Sequence, residues 1–404
     1  MYRVSPFVRH FALALLAGIA IATLWVNLAP ASYYDMIEWR LVEIAVPTWV
    51  APFPLGITPL SAISEGFMAL FLFFIGKELW EALILERGAL TGRKAALPLA
   101  AMFGGIAGGI AVWLLAGALW ETAIEANPGD GWPVPIGSDV VLCYLVGRLV
   151  FGPGHSALHF LLLVTIGSDI LGLLVLGLTF PATELRLLWL LLPVVAILLV
   201  WLLFGRLADP RQTERAHRRA FQLWPYVIAG LFSWVGVVLA GLPGALGLLP
   251  LIPVIPHADR AFGLFAEAEE FLHDPLNRLA HLLVRPVAVI LFFFGLTRGG
   301  LDFLSIAPTT LTLLSAFWIG KPLGLFLTAI VAHGIWRLPL PPQTGLRDIA
   351  LVALISGIGF TVPVLAIDTA LPGGGMAEAA RAGLAVSFLA GSFAYFLSRI
   401  LPRR

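Results

Sequence analysis

Long runs of apolar residues recur along the chain and are separated by shorter segments rich in glycine, proline and charge. About 20 apolar residues in an α-helix are enough to cross the hydrocarbon core of a bilayer. On this rule the pattern predicts about twelve membrane spans in one transmembrane domain that covers residues 1–404. Their approximate bounds are 10–29, 64–85, 94–120, 132–150, 156–180, 184–204, 222–240, 243–256, 276–297, 309–334, 346–371 and 379–400.

The composition excludes an ordinary water-soluble protein. Hydrophobic residues make up 59% of the chain and charged residues 12%, whereas about 25% of the residues in soluble domains are charged. The expected fold class is therefore an all-α polytopic membrane protein. A single cysteine, Cys143, excludes a disulfide within the chain. No small-residue cleavage site follows the first apolar run, so we interpret that run as a span and not as a removable signal peptide.

Basic residues are distributed unevenly among the gaps between the spans. If the N-terminus is cytoplasmic, the cytoplasmic gaps carry most of the arginines and lysines, and the opposite gaps carry few. Because cytoplasmic loops are enriched in Lys and Arg, both termini are predicted to be cytoplasmic. The basic residues on this side are Arg87, Arg93, Lys94, Arg206, Arg211, Arg215, Arg218, Arg219, Arg260, Arg337 and Arg347, with Arg403 and Arg404 in the tail.

Two of the predicted spans contain residues that break helices. The stretch PVPIGSD at 133–139 interrupts the fourth span, and SGIGFTVPV at 356–364 interrupts the eleventh. Proline removes a backbone donor and disfavours helix in the residue before it. Irregular backbone survives at membrane depth only where protein or a cavity covers it. Two such breaks in corresponding halves therefore indicate inverted-topology repeats and a binding site where two interrupted helices cross at the midplane.

Two other stretches have a structural interpretation. Residues 45–61, AVPTWVAPFPLGITPLS, contain too much proline for a span and are predicted to form a short extended segment or hairpin on one membrane face. The run GGIAGG at 104–109 contains small residues four positions apart, which let helix backbones approach closely in membranes. We therefore assign this run to helix packing.

Four charged side chains lie deep in the predicted spans: Asp139, Asp169, Lys321 and, near a helix end, Glu78. Asp169 lies in the middle of the apolar stretch LLVTIGSDILGLLVLG. Charged groups at this depth are costly and usually face a cavity or a partner, and they mark ion or proton pathways. The alternative interpretation is a buried Asp–Lys pair that only holds helices together.

At these residues the chain resembles the NhaA family of sodium/proton antiporters. EGFMALFLFFIGKEL at 65–79 is similar to the second span of that family, PVPIGSDVVLCYLVG at 133–147 to the fourth, and LLLVTIGSDILGLLVLGL at 161–178 to the fifth. IGKPLGL at 319–325 resembles the tenth span and SGIGFTVPV the eleventh. The resemblance implies a bacterial inner-membrane antiporter that exchanges Na+ or Li+ for H+. It also implies no cofactor, no enzymatic activity, and a homodimer formed through the hairpin after the first span.

The resemblance also implies roles for single residues. Asp139 matches the aspartate of the broken fourth helix, Asp169 matches the ion-binding carboxylate, and Lys321 matches the charge-balancing lysine of the tenth span. Glu78 matches an acid at the cytoplasmic funnel that is linked to the pH response. His257 falls in a loop where the family has histidines with a similar role, and its alternative interpretation is a solvated loop histidine.

The chain departs from the family pattern at three positions. Serine occupies position 168, where the family has a second aspartate next to the ion-binding one. Ser168 cannot titrate, and Lys321 is expected to keep its proton because Asp139 is available as its ion-pair partner, so one proton is expected to exchange for one monovalent cation in an electroneutral cycle. The alternative is that Lys321 loses and regains a proton in each cycle, which would move a second charge. Arg298 replaces a small residue and is either part of the extracellular side of the site or a residue that snorkels to the membrane surface. Lys77 stands beside Glu78.

The residue types also suggest how the cation is held. Hard cations prefer oxygen ligands, and the Asp169 carboxylate, the Ser168 and Ser138 hydroxyls and the freed carbonyls of Ile136 and Gly137 could supply them. A proton and a cation would then compete for one carboxylate. If only the loaded states reorient across the membrane, this competition produces exchange.

Three other functions fit part of the pattern. The same fold with a different substrate could carry K+ or a small anion, and a protein with one aspartate fewer could be a pH sensor that does not transport. An intramembrane aspartyl protease uses two carboxylates that share a proton, and Gly-Ser-Asp occurs at 137–139 and 167–169. However, the chain has no Gly-x-Gly-Asp run, and a protease does not explain Lys321. Nothing in the chain suggests a nucleic-acid partner.

Overall fold

The computed structural model describes residues 7–44, 55–84, 92–120, 128–181, 184–204, 222–257, 274–302, 305–371 and 373–400. The helices are α1 (Phe7–Leu28), α2 (Pro30–Glu38), α3 (Pro59–Ile84), α4 (Arg93–Trp120), α5 (Val140–Phe151), α6 (Ser156–Thr179), α7 (Leu187–Leu203), α8 (Trp224–Leu239), α9 (Pro275–Arg298), α10 (Pro308–Gly334), α11 (Leu346–Ile355), α12 (Thr361–Ala370), α13 (Gly375–Ser387) and α14 (Leu389–Ile400). Single π-helical turns interrupt α3 at Ala62–Phe67 and α10 at Ala316–Gly320.

The helix lengths and compositions are those of a polytopic membrane protein. In the described ranges, seven helical segments are long and apolar enough to cross a membrane: α1, α3, α4, α6, α9, α10 and the joined pair α13–α14. The shorter apolar segments are Val140–Phe151, Leu187–Leu203, Trp224–Leu239, Gly244–Val254 and Thr361–Ala370. Each of these segments overlaps one predicted span. The all-α polytopic fold class is confirmed, and the number of membrane crossings stays a prediction.

Both predicted helix breaks are present, and they lie against each other. In the fourth predicted span, turns cover 132–136 and non-helical backbone covers 137–139, so that α5 begins only at Val140. In the eleventh, α11 ends at Ile355 and α12 begins at Thr361. The amide N–H of Asp139 donates to the carbonyl of Ile358 over 3.0 Å, which joins the two breaks directly.

The eighth predicted span differs in kind from the others. It contains two 3₁₀ segments, Gly244–Leu246 and Leu249–Val254, in place of an α-helix. The prolines at 243, 250 and 253 remove backbone donors along the segment. With a rise of about 2.0 Å per residue, Gly244–Val254 extends for about 22 Å, which is less than the roughly 30 Å of a bilayer core.

Two short strands flank residues 45–54 of the proline-rich stretch after the first span. β1 (Val42–Ile44) and β2 (Leu55–Ile57) are antiparallel, with Val42 opposite Ile57. This pairing agrees with the expected hairpin, and dimerisation through it stays a prediction.

The expected orientation depends largely on residues outside the described ranges. These are Arg87, Arg206, Arg211, Arg215, Arg218, Arg219, Arg260, Arg403 and Arg404. The cytoplasmic location of both termini therefore stays a prediction.

Small residues bring α4 against α10. A β-carbon at Gly108 would overlap the backbone of Gly320 and Gly324, and one at Gly104 would overlap the side chain of Thr328. Such close approach is typical of small-residue interfaces in membranes. Because Lys321 directly follows Gly320, this contact also determines where the Lys321 side chain begins.

A single methyl group in this interface should destabilise the protein. Gly108→Ala is expected to lower the free energy of unfolding by about 1–3 kcal/mol, the usual cost of overpacking, because the new β-carbon would meet backbone atoms. The measurement is thermal unfolding in detergent. The matched control is Gly334→Ala at the end of α10, where an added β-carbon meets nothing within 4 Å. Equal unfolding temperatures for the two variants would contradict the close contact.

Candidate functional site

Asp169 lies in the middle of α6 beside the two helix breaks. Its side chain is buried, with 1% of its surface exposed. One carboxylate oxygen, Oδ1, accepts a hydrogen bond from the amide N–H of Ser138 over 2.7 Å. The second oxygen, Oδ2, has no hydrogen-bond partner in the described part of the chain. The carboxylate is therefore fixed in place through one oxygen, while the other remains available to a ligand.

Ser138 connects Asp169 to both sides of the second break. Besides its N–H bond to Asp169, it donates from its hydroxyl to the carbonyl of Ser356 over 3.2 Å. Its own carbonyl accepts a bond from the Thr361 hydroxyl over 3.4 Å. The position of the Asp169 carboxylate is thus coupled to the backbone at both ends of the interruption between α11 and α12.

Asp139 caps two helices at once. It is the N-cap of α5, where its Oδ1 accepts from the N–H of Leu142 over 2.7 Å. Its Oδ2 accepts from the N–H of Thr361, the first residue of α12, over 3.3 Å. A carboxylate at a helix N-terminus satisfies free N–H groups and complements the positive end of the helix dipole. Asp139 does both for two short helices that begin at the same point.

Lys321 satisfies the carbonyl side of the first break. It follows the π-helical turn of α10 and is 1% exposed. Its Nζ donates to the carbonyl of Ile136 over 3.0 Å and also to the carbonyl of Gly137. The ammonium additionally lies 5.3 Å from the centre of the Phe317 ring, within the range of a cation–π contact.

The expected ion pair between Lys321 and Asp139 is not formed. No carboxylate oxygen of Asp139 or Asp169 lies within 4.0 Å of the Lys321 ammonium. The physical reason is that both oxygens of Asp139 already accept backbone N–H groups, whereas the carbonyls before the break have lost their helical partners. The Lys321 ammonium donates instead to these carbonyls, whose oxygens are two of the atoms expected to act as cation ligands.

The described hydrogen bond of the Ser168 hydroxyl lies within its own helix. It is buried and donates to the carbonyl of Thr165, one turn earlier on its own helix, over 2.9 Å. Its oxygen keeps its acceptor capacity, but its described hydrogen bond lies within α6. The structure therefore brings Asp169, Ser138 and Asp139 together around the breaks, whereas the described bond of Ser168 stays within α6.

Glu78 belongs to a buried ionic cluster on α3. Nζ of Lys77 lies 3.0 Å from Oε1 of Glu78 and 2.9 Å from Oε2 of Glu81. Glu81 was not expected from the sequence, although its spacing of four residues from Lys77 is the spacing of helical ion pairs. His257 is half-buried, and its Nδ1 lies 3.1 Å from the carbonyl oxygen of Ile255.

Two residues that the sequence analysis did not single out hold the breaks together. Thr361 bonds to Asp139 and Ser138, as described above. The thiol of Cys143 donates to the carbonyl of Ile355, the last residue of α11, over 3.2 Å. A sequence signal existed for each, because Thr361 ends the motif GIGFT and Cys143 lies one helical turn after Asp139.

Comparison with known proteins shows the family of the chain. The family model described as Na+/H+ antiporter 1 matches residues 8–397. A relative from Jannaschia sp. (strain CCS1), called Na(+)/H(+) antiporter NhaA, is 38% identical over 99% of this chain and 98% of its own length. Relatives of the same name from Geobacter sulfurreducens and Desulfitobacterium hafniense are each 32% identical over 98% of this chain and 97% and 95% of their own lengths.

These matches cover nearly the whole of this chain and of each relative, and they confirm the resemblance that the sequence motifs indicated. The chain belongs to the Na+/H+ antiporter 1 family, which is a family of membrane transporters and not of enzymes.

Proposed function

We propose that this protein is a secondary antiporter that exchanges Na+ or Li+ for H+ by alternating access. The observation that carries the proposal is the Asp169 carboxylate, buried in an apolar helix with one oxygen fixed by Ser138 and the other without a hydrogen-bond partner among the described residues. A buried anionic oxygen of this kind can accept a proton or contribute to the oxygen shell of a hard cation. The names of the relatives support the choice of Na+.

The neighbouring charges leave Asp169 as the group that exchanges its ligand. Asp139 is occupied by backbone N–H groups and Lys321 by backbone carbonyls. Both side chains therefore stabilise the helix breaks through hydrogen bonds, whereas Oδ2 of Asp169 makes no hydrogen bond among the described residues. A cation on Asp169 gains the carbonyls of Ile136 and Gly137 as further ligands if the Lys321 ammonium moves off them. The Ser138 and Ser168 hydroxyl oxygens are the remaining candidates.

The same geometry argues against a protease. Aspartyl proteases depend on two carboxylates that share a proton and activate water. Here Asp139 accepts N–H groups from two helix N-termini, and this holds it as a structural cap.

The cellular setting follows from the family and stays part of the proposal. We place the chain in the bacterial inner membrane with both termini in the cytoplasm, and we assign dimerisation to the β1–β2 hairpin. Glu78, paired with Lys77 inside the membrane-spanning part of α3, is the candidate for the pH response, and His257 is the weaker candidate. No cofactor is required for exchange at a carboxylate.

Removing the Asp169 charge should abolish exchange and leave the fold intact. Asp169→Asn keeps the shape and the bond to Ser138, but an amide can neither release a proton nor neutralise a cation. The assay is proton flux in proteoliposomes driven by Na+, Li+ or K+ in turn. The matched control, Asp348→Asn, removes a carboxylate at the start of α11 that accepts the N–H of Gly345 and lies 3.5 Å from Nη1 of Arg347, so it has only local partners and should retain exchange. Near-normal flux in Asp169→Asn would refute Asp169 as the exchange site. Flux driven by K+ but not by Na+ or Li+ would refute Na+ or Li+ as the transported cation.

Exchange should be indifferent to membrane voltage if Ser168, which cannot titrate, and the Lys321 ammonium, which the carbonyls of Ile136 and Gly137 hold, both keep their protonation state through the cycle. Moving one net charge is worth about 2.3 kcal/mol per 100 mV, so an electrogenic exchanger responds strongly to an imposed potential. Na+-driven proton flux is measured with and without a K+/valinomycin potential. Ser168→Asp, which restores a second carboxylate, is the comparison and should acquire voltage dependence. A clear voltage effect on the unmodified protein would overturn electroneutral exchange.

Shortening Lys321 should destabilise the protein as well as impair exchange. Lys321→Ala leaves the buried carbonyls of Ile136 and Gly137 without the ammonium that donates to them. The expected loss is about 1–3 kcal/mol for each buried acceptor left without a donor. Thermal unfolding in detergent measures it, with Lys94→Ala at the exposed start of α4 as the control. An unchanged unfolding temperature for Lys321→Ala would show that the carbonyl contacts are not structural.

A further inference from the structure

Charged side chains form a second cluster at the far end of the bundle. Arg298 donates from Nη1 to Oδ2 of Asp368, and Arg381 donates from Nη2 to Oδ1 of the same carboxylate. Arg381 also donates from Nη1 to Oε1 of Glu378 over 2.5 Å. We call Arg298, Asp368, Glu378 and Arg381 the distal cluster. It lies beside the end of α1, because Thr23 donates to the carbonyl of Gly299, the residue after Arg298.

The distal cluster is partly shielded from solvent. The side chains of Arg298 and Asp368 are 13% and 15% exposed, whereas those of the surface pair Arg40–Glu43 are 73% and 53% exposed. Exposed ion pairs contribute little and are screened by salt, but partly buried pairs are screened much less. Arg298 also does not snorkel, since its Nε donates to the buried hydroxyl of Ser64 over 3.0 Å.

Within the cluster, Arg298 makes the link between different parts of the bundle. It is the last residue of α9, and through Ser64 it is attached to the π-helical turn of α3. Its partner Asp368 belongs to α12, while Arg381 and Glu378 belong to α13, the next helix in sequence. The Arg298–Asp368 bond therefore joins α3 and α9 to α12, whereas the Arg381 bonds remain within the consecutive helices α12 and α13.

The same short helix reaches the ion site. α12 begins at Thr361, which bonds to Asp139 and Ser138, and it carries Asp368 near its other end. At a rise of about 1.5 Å per residue, these two attachment points are about 10 Å apart along one helix. A displacement of the Asp368 end of α12 therefore also displaces Thr361, which bonds to Asp139 and to Ser138, the residue that holds Asp169.

We propose that Arg298 and Asp368 form an ionic gate that keeps the ion site closed toward the face opposite the start of α1. The gate rests on the proposed exchange function, because alternating access moves one part of a transporter against another around a fixed site. Opening this face separates the Asp368 end of α12 from α9 and breaks the Arg298–Asp368 bond. Arg298 is a positioning residue that determines which face of the site is accessible.

The test measures accessibility directly. Leu365, 8% exposed and about one turn from Asp368 toward the ion site, is replaced by cysteine and labelled with a membrane-impermeant maleimide from the Arg298 face of oriented vesicles. The parent chain, whose Cys143 is buried, gives the background. Arg298→Gln should accelerate labelling about tenfold, equivalent to about 1.4 kcal/mol in the closing equilibrium. The matched control Arg381→Gln, which removes a bond to the same carboxylate, should change labelling by less than about twofold, because the Arg381 bonds stay within the consecutive helices α12 and α13.

The possible outcomes separate a gate from a general structural contact. Labelling that is unchanged in Arg298→Gln, or increased equally by both substitutions, would overturn the gate. If Arg298→Gln does not fold, Asp368→Asn removes the charge that both Arg298 and Arg381 bind while keeping the side-chain shape, and it should show the same acceleration, since Arg381→Gln alone is expected to change little. Labelling does not require transport, so absence of exchange in the unmodified protein would refute the proposed function and leave the labelling result to decide the gate.

Discussion

The structure depends on how the polar backbone groups at two broken helices are satisfied away from water. Unpaired N–H and C=O groups at membrane depth are costly. Here a carboxylate accepts the N–H groups at the start of α5 and α12, and an ammonium donates to the carbonyls of Ile136 and Gly137. Asp139 and Lys321, which the sequence suggests as an ion pair, thus satisfy different backbone groups. Asp139 accepts from N–H groups, and Lys321 donates to carbonyls. Oδ2 of Asp169 takes part in none of these hydrogen bonds and has no partner among the described residues.

Close packing makes this arrangement possible. Lys321 reaches the break because α10 lies against α4 at backbone distance, through glycines on both helices. The π-helical turn directly before Lys321 shifts the register of α10 at this point, and such turns occur frequently at functional sites. On the other side of the bundle, the π-helical turn of α3 presents Ser64 to Arg298. In both places, an irregular helix turn precedes or carries a polar contact between helices.

The sequence predicted the features that follow from local chemistry. Prolines and glycines at 133–137 and 357–363 located both breaks, and the apolar runs gave the order of the helices. It did not predict which atoms Lys321 binds, because charge type alone favoured a carboxylate partner. The choice depends on the tertiary structure, in which backbone N–H groups already occupy Asp139. Arg298 was left with two interpretations because its partner, Asp368, lies 70 positions away in sequence. The 3₁₀ segments of the eighth span were not predicted, because the spans were located by hydropathy alone and hydropathy does not take the spacing of prolines into account.

The net charge of the ion site gives a physical reason why exchange would be obligatory. Asp139, Asp169 and Lys321, when ionised, leave one net negative charge among these three side chains. A proton or a monovalent cation on Asp169 brings this sum to zero, so both loaded states are equally neutral. Exposing an uncompensated charge to the bilayer interior is costly, and the empty site is therefore the state least able to reorient. An aspartate at position 168 would make the empty site doubly negative, and a single cation would no longer neutralise it. We infer that Ser168 keeps the net charge of the empty site at a value that one proton or one monovalent cation neutralises. This charge match couples inward movement of one ion to outward movement of the other.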